Sequence, residues 1–161
     1  MSSSTPGVCD ASEQLPIGDT SDAAPVTRKA TAVVTRGNGP LRELLVFEHA
    51  RTGLQLPAGT VEHGETFQAA AIRELAEETG IANATLHAEL GHLDEISEAG
   101  NPFHRHLFHF EPVGPTEERW QHPCDCGDEI TLYWLPLASA RLDHRQQPWL
   151  DLARAALEAA P

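Results

Sequence analysis

The chain has 161 residues, enough to bury a proper core within one domain. Its formal net charge is −13 and its pI is near 4.9, which argues against RNA, DNA or an anionic membrane as a partner. Three cysteines (Cys9, Cys124, Cys126), no positively charged leader before an apolar run and no apolar stretch of membrane-spanning length suggest a soluble cytoplasmic protein with reduced thiols.

Residues 1–27 hold Ser, Thr, Pro, Gly, Ala and four acidic residues, without Lys, Arg or periodicity. They read as a flexible acidic tail, with a short edge strand at Leu15 and Ile17 as the alternative. A single folded domain is expected over 28–161. Arg28–Arg36 has strand character, Gly37-Asn38-Gly39-Pro40 is a turn, and Leu41–His49 reads as the partner strand of a hairpin. Leu54–Ala58 is a short extended piece.

A loop and a helix follow. Thr66 suits an N-cap, Phe67 the first helical position and Gly80 a left-handed stop; the reciprocal Glu or Gln of a capping box is missing. Phe67, Ala71, Ile72 and Leu75 form one apolar stripe. Glu74, Glu77 and Glu78, at i, i+3 and i+4, share the opposite, solvent-facing side. Three like charges there cost stability, which is common at functional sites. A divalent cation would relieve the repulsion, and clustered carboxylates suit Mg²⁺ or Mn²⁺. A solvated acidic helix face is the plainer alternative.

Downstream, Thr85–Ile96 reads as one strand or two kinked at Gly91, and Asn101-Pro102 as a turn. Phe103–Val113 alternates, placing Phe103, Arg105, Leu107 and His109 on one side and His104, His106, Phe108 and Phe110 on the other. Glu117–Asp128 reads as an irregular polar loop, Ile130–Leu135 as a strand, Pro136–Leu142 as a helical turn and Trp149–Ala160 as a helix. Short strands with a central and a terminal helix imply an α/β/α sandwich around a mixed sheet.

The spacing decides between cation site and solvated face. Gly59, Glu65, Arg73, Glu74, Leu75, Glu77, Glu78, Gly80 and Ile81 fit G-x5-E-x7-R-E-U-x-E-E-x-G-U, with U aliphatic. This stretch resembles the Nudix box of the MutT-like Nudix hydrolases, and no fixed position departs from it. The resemblance covers 23 residues and the order of elements beyond them. It implies the Nudix fold and a metal-dependent pyrophosphohydrolase, in which water attacks phosphorus of a nucleoside diphosphate linked to another group. A nucleotide-binding sensor on the same fold is the alternative, and an intact set of box carboxylates argues against it.

By matched position, the resemblance makes Glu74, Glu77 and Glu78 metal ligands for Mg²⁺ or Mn²⁺, with Glu74 also near the base role. The carbonyl of Ala58 or Gly59 is a further ligand candidate. Glu65 and Arg73 carry over as a supporting salt bridge, a role preferred for Arg73 over direct phosphate contact. The general base is sought among Glu117, Glu118, Asp128 and Glu129, with Glu129 preferred because it precedes the late strand. Arg51, Arg105 and Arg119 are candidate phosphate contacts, and Trp120, Tyr133 or Phe108 could stack on a base. Zinc at His122, Cys124 and Cys126 is disfavoured for want of a fourth ligand. His104, His106 and His109 do not share one strand face. The expected partner is a nucleotide-type small molecule, without nucleic acid polymer or membrane, and the resemblance allows a homodimer. Nucleoside triphosphates, nucleotide sugars and ADP-ribose all remain open as substrates.

Overall fold

The computed structural model describes residues 24–160. The Leu15–Ile17 edge strand and most of the expected tail lie outside them. Regular structure begins with β1 (Thr27–Arg36), one residue before the expected domain start, and continues through a 3-10 turn (Gly39–Leu41) to β2 (Glu43–His49), β3 (Gly53–Gln55) and β4 (Ala58–Thr60). Then come α1 (Phe67–Thr79), β5 (Ala84–Ile96), β6 (Pro102–Pro112), β7 (Arg119–Pro123), β8 (Glu129–Pro136) and α2 (Gln147–Ala159).

The strands form one mixed sheet ordered β5-β6-β1-β2-β8-β7, with β3 attached to β2 and β4 to β1. The helices cover its two faces, which gives the expected α/β/α sandwich. β1 is central and reads TRKATAVVTR, with a continuous buried run from Ala30 to Thr35 because both its faces are covered. Ala30, Ala32 and Val34 face the core under α1, together with Leu75, Phe108 and Phe110. Val33 faces the second core, where Trp149, Leu150, Ala153 and Leu157 of α2 pack on Leu44, Val46 and Leu107. Pro148 in the first turn of α2 suits a position whose N–H has no helical partner.

β1 is not simply half of a hairpin. Only Thr35 and Arg36 pair with β2, at Leu44 and Glu43. Its long partner is β6, parallel to it from Thr27↔Phe103 to Val34↔Phe110, while Lys29–Thr31 pair antiparallel with Thr60–Ala58 of β4. The antiparallel partners of β1 therefore diverge, and a gap opens between β2 and β4. That gap is where the site forms.

Three further expectations change. β7 lies within the stretch read as an irregular loop, and it pairs with β8 from Arg119↔Tyr133 to Pro123↔Glu129. Ile72 is exposed, and the buried face of α1 is Ala70, Ala71, Leu75 and Thr79. Cys124 and Cys126, expected as reduced thiols, are joined as a disulfide in the β7–β8 turn. The kink expected at Gly91 is present as a register shift between Glu89 and Gly91, with a second between Leu86 and Ala88. No helix among the described residues is long and apolar enough to cross a membrane.

Candidate active site

α1 carries the site because both of its ends are fixed. The Thr66 hydroxyl accepts a hydrogen bond from Ala69 N–H at 3.0 Å, and Gly80 adopts φ 76° with its N–H donating to the Ala76 carbonyl. A left-handed residue after the last turn favours glycine.

Arg73 is the organiser. Its guanidinium donates Nε and Nη2 to the two oxygens of Glu65, each at 2.9 Å, and Nη2 also to the Thr60 carbonyl at 3.0 Å. Nη1 donates to Glu74 at 2.7 Å and to Glu77 at 3.2 Å. The Arg73 bonds, with one from Glu62 N–H, hold the Glu65 carboxyl below its ordinary range. The fork thus joins the loop, β4 and the helix. The position expected to be a supporting salt bridge is occupied as one, and no donor of Arg73 is left facing a phosphate.

The three box glutamates differ in environment. Glu77 is the most exposed, at 46% of its side chain. The Glu74 carboxyl lies against Gly59 so closely that a Cβ on residue 59 would overlap it. A side chain at residue 59 would therefore have to displace the Glu74 carboxyl, the far end of a flexible side chain. Burial pushes the Glu74 carboxyl up, Arg73 partly offsets this, and Glu77 and Asp125 add to the rise. Glu78 was expected on the solvent side. Instead it turns towards the gap in the sheet and accepts a 2.7 Å hydrogen bond from Ala58 N–H. Burial pushes its carboxyl up to about 8, despite that bond, with Glu74, Asp125 and Glu77 contributing.

Two cations face this group across a cavity of about 120 Å³ lined by Lys29, Ala58, Gly59, Glu78, Arg105 and Gln55. Arg105 is buried, donates to Glu95 at 2.7 Å and Thr31 at 2.9 Å, and stacks 3.6 Å from the Trp149 ring centre. Lys29 donates to the Thr60 hydroxyl at 2.7 Å, and burial and Arg105 lower its pKa. Gln55 also lines two larger cavities. One of about 620 Å³ is bounded by Phe103, Arg105, Trp149, Arg145 and Ile96. The other, of about 400 Å³, is bounded by Glu78, Phe47, His49, Arg51 and Cys126. The geometry is a groove with Glu78 of α1 at its middle and room on both sides.

Of the other expected residues, Arg51 reaches the groove, tethered to Asp128 at 2.6 Å. Arg119 instead lies over Tyr133, 4.8 Å from its ring centre, and lines none of these cavities. Glu129 is exposed at the start of β8, opposite Pro123. The turn carboxylate whose charge bears on Glu74 and Glu78 is Asp125, which the sequence reading did not consider. Glu118 is bound to Arg36 at 2.6 Å. Phe108 is core, and the Trp120 indole donates to the Thr79 carbonyl at 2.8 Å. His122 sits on the Glu77 carbonyl at 2.8 Å and does not join a cysteine cluster. Lys29 and Asp125 carried no spacing signal, because only the fold brings them to the helix.

The NUDIX domain model matches residues 25–153, and the chain belongs to that family. The chain is 30% identical over 89 residues to a Caenorhabditis elegans protein named "Putative nudix hydrolase 1"; that match covers 53% of this chain but only 23% of the relative. Among solved structures, the C. elegans Ap4A hydrolase superposes with TM-score 0.60 at 24% identity, covering 84% of this chain and all of the other. The NUDIX domain of Shewanella oneidensis NrtR, solved with ADP ribose, superposes with TM-score 0.62 at 18% identity, covering 86% of this chain and 93% of the other. At these identities the structural likenesses bear on the fold.

Proposed function

We propose that the chain is a divalent-metal-dependent pyrophosphohydrolase acting on a nucleoside diphosphate linked to a second group. The observation that carries this reading is the frustrated carboxylate set. Glu78 is held at the gap beside Glu74 and Glu77 with its carboxyl pushed up to about 8, and Arg73, bonded to Glu65, Glu74 and Glu77, makes no bond to it. A donor set of hard oxygens with uncompensated charge fits Mg²⁺ or Mn²⁺, which Glu74, Glu77 and Glu78 would hold. When bound, the ion would neutralise phosphate oxygens and make phosphorus more electrophilic.

The chain's own residues do the rest. Lys29 and Arg105 attract the diphosphate into the gap, and Arg51 extends this positive lining at the outer cavity. Gly59 keeps β4 close to Glu74. A water oxygen forms the new bond to phosphorus as the bridging P–O bond breaks, and the bridging oxygen leaves on the departing phosphate. The proton from that water passes to a nearby carboxylate. Asp125 and Glu129 of the β7–β8 turn are the two candidates for that role, Asp125 because its charge bears on both Glu74 and Glu78 and Glu129 because it opens β8. The Phe103–Trp149 cavity has the apolar walls and cationic groups to take a nucleoside or a second phosphorylated moiety. Ap4A and ADP-ribose are therefore the first substrates to offer, beside nucleoside triphosphates and nucleotide sugars.

The test is a substrate panel with Mg²⁺ or Mn²⁺, reading phosphate, pyrophosphate and nucleoside monophosphate. The expected result is metal-dependent cleavage of one class. Tight nucleotide binding by calorimetry with no cleavage across the panel would instead support a sensor.

A further inference from the structure

The densest group of histidines in the protein lies on the opposite edge of the sheet from β7, away from the groove. His92 and Asp94 of β5 lie directly across from His106 and His104 of β6. The motifs His-Leu-Asp and His-Arg-His therefore present their outer residues on one face. The register shift between Glu89 and Gly91 brings Glu89 to the same group.

The hydrogen bonds define the imidazoles. Asp94 lies 2.6 Å from His104 Nδ1, and Glu89 lies 2.5 Å from His106 Nδ1. Carboxylates only accept, so both Nδ1 atoms carry a proton and the two Nε2 atoms are left to each other. Those two Nε2 atoms face each other at 2.9 Å. Something positive must lie between them: a proton, where one ring donates Nε2–H to the other, or a metal ion bound by both. Two imidazole nitrogens bound about 2.05 Å from one ion, at an angle of roughly 90–110°, lie about 2.9–3.3 Å apart. The observed 2.9 Å fits a chelating pair as well as an N–H···N bond.

A third imidazole, His92, lies within reach of His106. The His92 ring centre lies 5.4 Å from those of both His104 and His106. Ligand atoms of His92, His106 and Glu89 all lie within 4.8 Å of one another. A carboxylate on the far nitrogen of a metal-bound histidine fixes its tautomer and raises its basicity. The other mixed cluster, His49 with Cys126 and Asp128, lacks this preparation. His49 Nδ1 accepts from Arg51 N–H at 3.1 Å, so its Nε2, the nitrogen nearest Cys126, carries a proton.

We propose that His92, His104 and His106 form a second metal site for a borderline transition ion of the Zn²⁺ class, with Asp94 and Glu89 orienting the rings. Imidazole donors favour Zn²⁺ over the Mg²⁺ suited to the α1 carboxylates. The ion would clamp edge strand β5 to β6. It would also reach the start of α1, because His106 stacks on Phe67 with ring centres 3.9 Å apart.

The test is equilibrium dialysis of the full chain against Zn²⁺, with Mg²⁺ in excess, alongside visible spectra with Co²⁺. One equivalent should bind with the intense absorption of low-coordinate Co²⁺, and Zn²⁺ should raise Tm. Both signals should persist in Glu78→Gln and in Cys124→Ser/Cys126→Ser, and vanish in His104→Gln/His106→Gln. Should that double variant fail to fold, His92→Gln at an exposed ring should weaken binding at least about tenfold. Absence of a bound equivalent, binding unchanged in the histidine variants, or binding lost with the cysteines or Glu78 would each overturn the site. Failure of the hydrolase reading would leave these outcomes unaffected.

Discussion

The α1 carboxylates and the β5–β6 histidines are both dense sets of ligand atoms, yet they are assembled by different means. Glu74, Glu77 and Glu78 come from five consecutive residues of one helix, and helical geometry alone brings them together. The histidines come from two strands, and only the pairing of His92 with His106 and Asp94 with His104 collects them. The first set is poised by burial and like charge, the second by carboxylates on Nδ1. A helix therefore writes a site into sequence spacing, whereas a sheet writes it into register.

The largest expected effect comes from breaking the helical set. Glu78→Gln should leave the fold intact and lower kcat with Mg²⁺ by about 10²-fold or more, measured at saturating substrate. Next, Gly59→Ala inserts a Cβ into the position of the Glu74 carboxyl. It should displace that carboxyl and lower turnover with little change in urea unfolding, even though residue 59 contributes no side chain to the chemistry. Arg73→Ala leaves Glu65 and Glu74 without their cation and should destabilise by roughly 2–3 kcal/mol. Arg73→Lys should recover only part of this, since an ammonium cannot reproduce the two-pronged bond.

The pH dependence sharpens the contrast in burial. Folding raises the Glu78 carboxyl from its ordinary 4.5 to about 8 in the metal-free protein. The folded chain then holds an extra proton between those values, so this residue's contribution to stability falls as pH rises through them and levels off above about 8. The slope should total on the order of 2–4 kcal/mol and be missing from Glu78→Gln, by urea midpoints in EDTA. Because the proton competes with the ion, Mg²⁺ should bind more tightly as pH rises over the same range. The smallest difference concerns the β7–β8 turn. Asp125→Asn and Glu129→Gln separate the two candidate bases: the one that takes the proton should lower kcat by about tenfold or more while the other stays within about twofold, read from matched pH–rate profiles.

Much of this was legible before folding. The cap at Thr66, the stop at Gly80 and the Glu65–Arg73 bond all depend on short-range spacing, and the structure places each as expected. What was not legible depends on long-range geometry. Glu78 read as solvent-facing because the apolar stripe was taken to include Ile72; the packed face instead includes Ala70 and Thr79, which turns Glu78 towards β4. β7 was missed because Arg119–Pro123 is polar and ends in proline, and its strand character comes from pairing with β8. Lys29, nominally a polar residue in a strand, becomes a site cation only because β4 pairs beside it.

The most direct test of the central claim is Mg²⁺-dependent hydrolysis of the best panel substrate by wild-type chain and Glu78→Gln, with Mg²⁺ affinity measured in parallel by calorimetry. The expected result is a loss of both turnover and Mg²⁺ affinity in the variant, with an unchanged circular dichroism spectrum. Near wild-type turnover in a folded Glu78→Gln protein would contradict the assignment of the α1 carboxylates as the metal-binding centre.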